Sequence, residues 1–371
     1  MTLRVGLDAR FASARYDGVG RYVVALAEEL LRLDDPPALH VLPAAVDDPP
    51  RHRLDVDSPR ITVLDPGGAR RAESPWSHWE IPRLARGARL NVWHTPFPLA
   101  PLTAGTPSVV TLHDCIPERF PAYFGLRTRL AYRAAVALSL RRARLVIVPS
   151  QLSADDAQRY HRVPAAKLRV VPQGVTPAAP AAVPPEAEAR RRLGLAGGYV
   201  LTVGRPRPHK GYALLVRALA RLDAGRRPLL VRVGRADPRL PDGSEELAAR
   251  LDVRLRVLTG ITEAELLAVY RGATLVAIPS AVEGFGLPLL EALAAGVPVL
   301  ASDIQPLRAS GGAVARFVSD GEQAWAEALA GALDDATWLA GARRGGPAQA
   351  ARFPWSTTAA QTRQVYAEAA R

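Results

Sequence analysis

The sequence is short of cysteine. Its 371 residues include one, Cys115, which excludes an intramolecular disulfide framework and any site of clustered thiolates, and predicts a reducing, cytoplasmic setting. Lysine is nearly as scarce: of 48 lysines and arginines, only Lys167 and Lys210 are lysines. Asparagine occurs once, at Asn91, among abundant alanine and proline. Such a bias follows genome composition, so the formal net charge of +12 is discounted as a sign of nucleic-acid binding. Where arginine is the default cation, a lysine marks a need for a compact ammonium, and this singles out Lys210. Clean hydrophobic runs are missing too. The start, MTLRVGLDARF, places Asp8 where an export signal needs an apolar core. The uncharged stretch Leu90 to Leu112 carries Pro96, Pro98, Pro101 and Pro107, and Gly272 to Ser302 carries Glu283 and Glu291. Isolated acids in an apolar run predict a buried site rather than a membrane span.

What is present is a rhythm of short β-branched runs and amphipathic segments, the pattern of α/β folds with parallel sheets. Strands are predicted at 3–7, 38–42, 61–64, 90–94, 108–112, 145–148 and 168–171, with a helix from about Gly20 to Leu33. A Pro-rich break, TPAAPAAVPP, follows at Thr176 to Pro185. The rhythm then resumes with strands at 199–203, 229–233, 255–258, 274–278 and 297–301, and helices at 212–222, 263–271 and from Leu287. Two facing Rossmann-like domains are expected, residues 1–175 and 196–353, joined by a linker at 176–195. A last helix, 354–371, is expected to pack back on the first domain.

Ligands of open parallel sheets bind at the carboxyl ends of strands. After the strand at 199–203 comes Gly204-Arg205-Pro206-Arg207-Pro208-His209-Lys210-Gly211 and then a helix. A glycine turn, two cations and a helix N-terminus suit a diphosphate, with Arg205 and Lys210 as the chosen pair; an ordinary basic loop is the alternative. After the strand at 274–278 comes PSAVEGFGLPLLE. This puts Glu283 in a glycine loop and Glu291 one turn inside a helix, a spacing suited to paired hydroxyls. In the first half, Gly18 and Gly20 form a short glycine loop, without the third glycine of a dinucleotide fingerprint. His113 follows a strand and has the position of a site residue, whereas His94 reads as strand termination. A zinc site from His78, His94 and His113 matches no short motif. Phe120 to Arg144 mixes aromatic residues with arginines, which fits either an anionic lipid surface or, preferably, the solvated arginine face of a core helix.

Together, EGFGLPLLEALAAGVPVLASD, DGVGRY, TLHDCIPERFP, VPSQLSADD, VVPQGV and VGRPRPHKG resemble the retaining nucleotide-sugar glycosyltransferases of family 4, and the resemblance runs over nearly the whole chain. It implies the GT-B fold, with a cleft between the domains, and a retaining, metal-independent hexosyl transfer without a cofactor. Arg205 and Lys210 would hold the donor diphosphate, Glu291 the ribose hydroxyls, and Glu283, with Gly284, Phe285 and Gly286, the transferred sugar. His113 would face that sugar, and Gly18 and Gly20 would shape the cleft floor. The implied donor is GDP-mannose or a UDP-sugar, and the implied acceptor a glycan, a small molecule or a lipid-linked sugar, with peripheral contact at the inner membrane face and no nucleic acid. One departure is visible: Gln305 to Gly312 reads QPLRASGG, without the family's Glu after the proline. Rival expectations are a GT-B phosphorylase or epimerase and a catalytically silent scaffold for polysaccharide assembly. Lys167, in a loop, suits no pyridoxal Schiff base, and the intact set of charged residues opposes the scaffold.

Overall fold

The structure, a computed structural model, describes residues 2–12, 17–43, 54–65, 74, 76–123, 125–177, 188, 191–195, 197–237 and 240–371. The chain divides into two compact units, Met1–Gly174 with Pro354–Arg371, and Val175–Phe353. Most of the Pro-rich stretch expected as a linker, 178–187, lies outside the described residues.

In the first unit, seven strands form one sheet: β1 Arg4–Asp8, β2 Ala38–Leu42, β3 Ile61–Val63, β4 Val92–Thr95, β5 Ser108–Thr111, β6 Leu145–Val148 and β7 Leu168–Val170. Their order is β3-β2-β1-β4-β5-β6-β7, and every pairing is parallel. Parallel strands are covered on both faces, so they read as continuous apolar runs; VWHT and LVIV are buried at every position. The helix Asp17–Arg32 packs Tyr22, Val23, Leu26 and Leu30 into this core. The last helix, Trp355–Ala369, lies against it and against β5 and β6. Gly174 admits that helix, because a Cβ there would stand 2.5 Å from the Trp355 backbone.

A row of buried polar groups ties the last helix to the sheet. Tyr366 Oη is 2.7 Å from His94 Nδ1, His94 Nε2 is 2.8 Å from Thr111 Oγ1, and Thr111 Oγ1 is 3.2 Å from Tyr22 Oη. Burial pushes Tyr22 up to about 12 and, with the neighbouring His113, His94 down to about 3. The row is therefore neutral at physiological pH. The sequence predicts that His94 ends its strand, but β4 runs on to Thr95 and the His94 ring is a structural bridge within it.

In the second unit, six strands form the other sheet: β8 Tyr199–Val203, β9 Leu229–Val233, β10 Leu255–Leu258, β11 Leu275–Ile278, β12 Val299–Ser302 and β13 Arg316–Val318. The order is β10-β9-β8-β11-β12-β13, again parallel throughout. Strand order reverses at β8 and β11, the point where an open α/β sheet leaves a crevice at its carboxyl edge. The apolar run Gly272 to Ser302 folds as β11, the helix Leu287–Ala294 and β12. Among the described residues, no helix is long and apolar enough to cross a membrane.

Candidate active site

The loops leaving β8 and β11 carry the charged residues singled out in the second half. Gly204 turns the chain at φ +137°, and its N–H donates to Val233 O at 2.9 Å. The turn Pro208–Lys210 ends at Gly211, whose φ of +70° starts the helix Tyr212–Ala220. The two loops touch through their backbones. Ala281 N donates to His209 O at 2.8 Å, and a Cβ on Gly211 would lie 2.0 Å from Pro279 O.

This contact brings Lys210 to Glu283. Lys210 Nζ donates to Glu283 Oε1 at 2.7 Å, and Ser280 Oγ donates to the same oxygen at 2.7 Å. Glu283 is 7% exposed. Burial is the largest influence on its carboxyl and pushes its pKa up, but the Lys210 charge, the bonds from Lys210 and Ser280, and His209 together outweigh it and hold the group below its ordinary value. Glu283 is thus an ionised carboxylate held in place by a cation and a hydroxyl.

The other cations separate. Arg207 Nη2 pairs with Asp237 Oδ2 at 3.0 Å, and Arg205 is exposed. Arg205 and Lys210, chosen together from their spacing, therefore differ in setting: one faces solvent and the other is joined to Glu283. Glu291 is the fifth residue of the helix Leu287–Ala294, which Gly286 opens at φ +98° with Pro288 in its first turn. Its Oε2 accepts from Tyr270 Oη at 2.8 Å. Gly284 is half-buried, and Phe285 packs edge-on against Phe353 at 5.9 Å. The Phe285 carbonyl accepts from Ser310 Oγ at 3.0 Å. The run that departs from the family pattern thus braces the glycine loop through Ser310.

In the first unit, His113 follows β5 and is half-buried. Its Nε2 faces Pro96 O at 3.0 Å, and Gln173 Nε2 faces its Nδ1 at 2.9 Å. A carbonyl only accepts, so Nε2 carries the proton and Nδ1 accepts from the amide. Burial lowers the pKa of the ring to about 4, against a smaller upward pull from the Pro96 carbonyl. In this arrangement neither nitrogen is open to act as a base. Tyr22 meets the ring edge-on at 5.0 Å, linking His113 to the helix that carries Gly18 and Gly20.

Those glycines correct an expectation. They do not form a loop before a helix, because the helix begins at Asp17 and contains both. Gly20 is required by packing, since its Cβ would lie 3.3 Å from the Ala12 backbone, whereas a Cβ on Gly18 would meet nothing within 4 Å. A finer point concerns Phe120 to Arg144. The helix Leu126–Arg142 packs Val136 and Leu140 into a core and leaves Arg127, Arg133, Arg141 and Arg142 exposed, as expected, but its first half also leaves Leu126 61% and Leu130 55% exposed, which is not expected. Sequence reading also passed over Ser280, Tyr270, Ser310 and Gln173. Ser280 and Gln173 stand in the quoted runs PSAVEGFGLPLLE and VVPQGV, but Tyr270 lies 21 positions from its partner, where no local pattern can reveal it.

Three histidines make stability pH-dependent. His94 is held at about 3 and His113 and His209 at about 4, each lowered from 6.5, chiefly by burial. A group with a lower pKa folded than unfolded takes up a proton on unfolding. Its contribution is complete above about 6.5 and is lost as pH falls toward the folded value, by up to about 1.4 kcal/mol per pH unit for each group. The melting temperature is expected to fall steadily from pH 6.5 to 4; a flat profile in that window would contradict the assignment.

Comparison with known proteins places this geometry. Residues 16–179 match the model described as Glycosyltransferase Family 4, and residues 186–342 match Glycosyl transferases group 1. The chain is 39% identical over 200 residues to a D-inositol 3-phosphate glycosyltransferase of Thermobispora bispora, covering 50% of this chain and 47% of the relative. The chain thus spans about half the length of that curated relative. Among solved structures, it matches a sucrose-phosphate synthase from Thermosynechococcus elongatus with TM-score 0.77 at 23% identity, over 99% of this chain and 98% of the other. It also matches Anabaena Alr3699/HepE, solved in complex with UDP and glucose, with TM-score 0.74 at 22% identity over 99% and 100% of the two chains. With both halves matched and the GT-B fold shared, the chain belongs to the family 4, group 1 type of glycosyltransferases.

Proposed function

We propose that this chain transfers a hexose from a nucleoside diphosphate sugar to an acceptor hydroxyl, with retention at the anomeric carbon and without a metal ion or cofactor. The observation that carries the reading is the Lys210–Glu283 pair at the switch of the second sheet. The Lys210 ammonium and the N-terminus of the helix Tyr212–Ala220 are suited to stabilise a departing diphosphate. Exposed Arg205 is available to the same anion. Glu283, with the backbone of Gly284, Phe285 and Gly286, receives sugar hydroxyls, and Glu291 receives those of the ribose. As the anomeric carbon–phosphate bond breaks, the acceptor oxygen bonds to that carbon from the same face and passes its proton to the leaving phosphate. His113, with both nitrogens engaged, serves as a fixed neutral wall rather than a base. Gly18, exposed at a helix start, leaves room for the acceptor.

For the donor, a uridine diphosphate sugar is favoured over GDP-mannose, since Alr3699/HepE was solved with UDP and glucose and with UDP-glucose. The name of the curated relatives makes D-inositol 3-phosphate the first acceptor to assay. The exposed leucines and neighbouring arginines of Leu126–Arg142 support contact with an anionic lipid surface, and so a lipid-linked acceptor as the next.

A thermal-shift screen with UDP, GDP, ADP and dTDP tests the donor, because a ligand of the native state raises the melting temperature. UDP is expected to give the largest rise, and EDTA to leave the size of that rise unchanged. Replacing Glu291 by alanine is expected to raise donor KM about 10- to 100-fold with kcat little changed, the effect of losing a bond to a charged group. No shift with any nucleotide, or a normal KM in the variant, would overturn the reading.

A further inference from the structure

A second cluster of chemically capable side chains lies in the first unit, whereas Glu283 and Lys210 belong to the second. Cys115, Glu118 and His161 each place one ligand atom within 4.8 Å of the others. Cys115 and Glu118 share one helical turn, with Glu118 N donating to Cys115 O at 3.1 Å, so their side chains face one side. His161 is the last residue of the helix Gln151–His161, which Ser150 caps by accepting from Ser153 N at 3.2 Å. All three are deep: Cys115 is 1% exposed, and the side chains of His161 and Glu118 are 0% and 4% exposed.

Their polar atoms are poorly served by the protein. His161 Nε2 stands 3.1 Å from Glu118 Oε1, but without hydrogen-bond alignment. Both ring nitrogens and that oxygen are buried with no hydrogen-bond partner, an arrangement native proteins rarely tolerate. The surrounding charge is negative. Burial first, then the carboxylates of Glu118, Asp156 and Asp114, hold the Cys115 thiol far above its ordinary range, with Arg119 opposing them. Arg119 is itself committed to Asp156 through bonds of 2.6 and 2.8 Å.

We propose that Cys115, Glu118 and His161 bind a divalent metal ion of the zinc class. One sulfur, one imidazole nitrogen and one carboxylate oxygen make a borderline-soft set that favours zinc over magnesium or calcium. Donors around a tetrahedral zinc stand roughly 3.3–3.8 Å apart, so the widest-spaced of these need draw in by no more than about 1.5 Å. Binding displaces the Cys115 proton to solvent and places positive charge beside the Glu118 carboxylate, whose Oε1 has no hydrogen-bond partner. The ion would join the turn Ile116–Arg119 to the helix Gln151–His161. Ser153 of that helix donates to the His113 carbonyl at 3.2 Å, so the site braces the segment that carries His113. It takes no part in sugar transfer.

The test uses full-length, tag-free protein and inorganic zinc. Elemental analysis after dialysis, or titration against a chromophoric chelator, is expected to find about one zinc per chain, and chelation to lower the melting temperature. Cobalt substitution is expected to give a sulfur-to-cobalt charge-transfer absorption that Cys115→Ser abolishes. His161→Gln is expected to weaken zinc binding at least about tenfold. If either variant fails to fold, the cobalt spectrum of the unaltered protein still decides whether a thiolate binds metal. Protein that takes up no zinc and whose melting ignores it would overturn the site, as would variants that bind zinc like the unaltered chain.

Discussion

Lys210→Met is expected to lower kcat by roughly 10²- to 10³-fold, the loss typical of removing a group that stabilises transition-state charge. Charge on the leaving diphosphate peaks as the glycosidic bond breaks, so donor KM is expected to move much less. The same substitution strands Glu283, a buried carboxylate bound to Lys210 at 2.7 Å. Removing one partner of a buried pair costs about 3–5 kcal/mol, so the melting temperature falls too. The double variant Lys210→Met with Glu283→Gln separates the two effects. It removes the uncompensated charge and is expected to recover stability, while turnover stays low. Steady-state kinetics and thermal melts of the three proteins check this; a variant with full kcat and only a raised donor KM would show that Lys210 merely holds the ground state.

Gly211→Ala is expected to be among the most damaging single methyls in the second unit. Two costs coincide at this position: φ is +70°, and the new carbon would sit 2.0 Å from Pro279 O, a backbone atom that cannot rotate away. Either the helix Tyr212–Ala220 or the loop after β11 must move, and the loss is about 3 kcal/mol or more, a drop of roughly 6–12 °C in melting temperature. Because the displaced loops carry Lys210 and Glu283, activity is expected to fall further than stability alone accounts for. Gly331→Ala is the control: it meets nothing within 4 Å and lies in the helix Glu322–Asp334, where alanine is the better residue. A Gly211→Ala protein that melts with the unaltered chain would refute the close approach.

The parts of the fold legible in sequence are those where one physical constraint dominates. β2, β6, β8 and β9 lie within the limits expected for them, since strands covered on both faces must be apolar runs bounded by polar turns. The helix Ala336–Ala350 gave no such signal: it contains Gly341, Gly345, Gly346 and Pro347, poor helix formers, and is held by packing. A Cβ on Gly346 would meet Leu293 O at 2.8 Å, so the glycine serves a close helix contact. β13 is three residues long, too short to show periodicity. In the site, Glu283 and Glu291 stood out because acids are costly in an apolar stretch, and Lys210 because lysine is rare. Their partners Ser280 and Tyr270 are unremarkable residue types; Ser280 is a near neighbour of Glu283 in the chain, but only the fold brings Tyr270 to Glu291.

The passage of residues 354–371 back into the first unit has a consequence for synthesis. Of the two units, the one begun earlier along the chain is completed later. While residues 175–353 emerge and gather their own sheet, the earlier sheet still lacks Trp355, Val365 and Tyr366, which fill its core, and His94 lacks the phenol that meets its Nδ1 at 2.7 Å. The nascent first unit is thus an unfinished hydrophobic surface for as long as the second unit is being made, exposed to misassembly until residues 354–371 arrive.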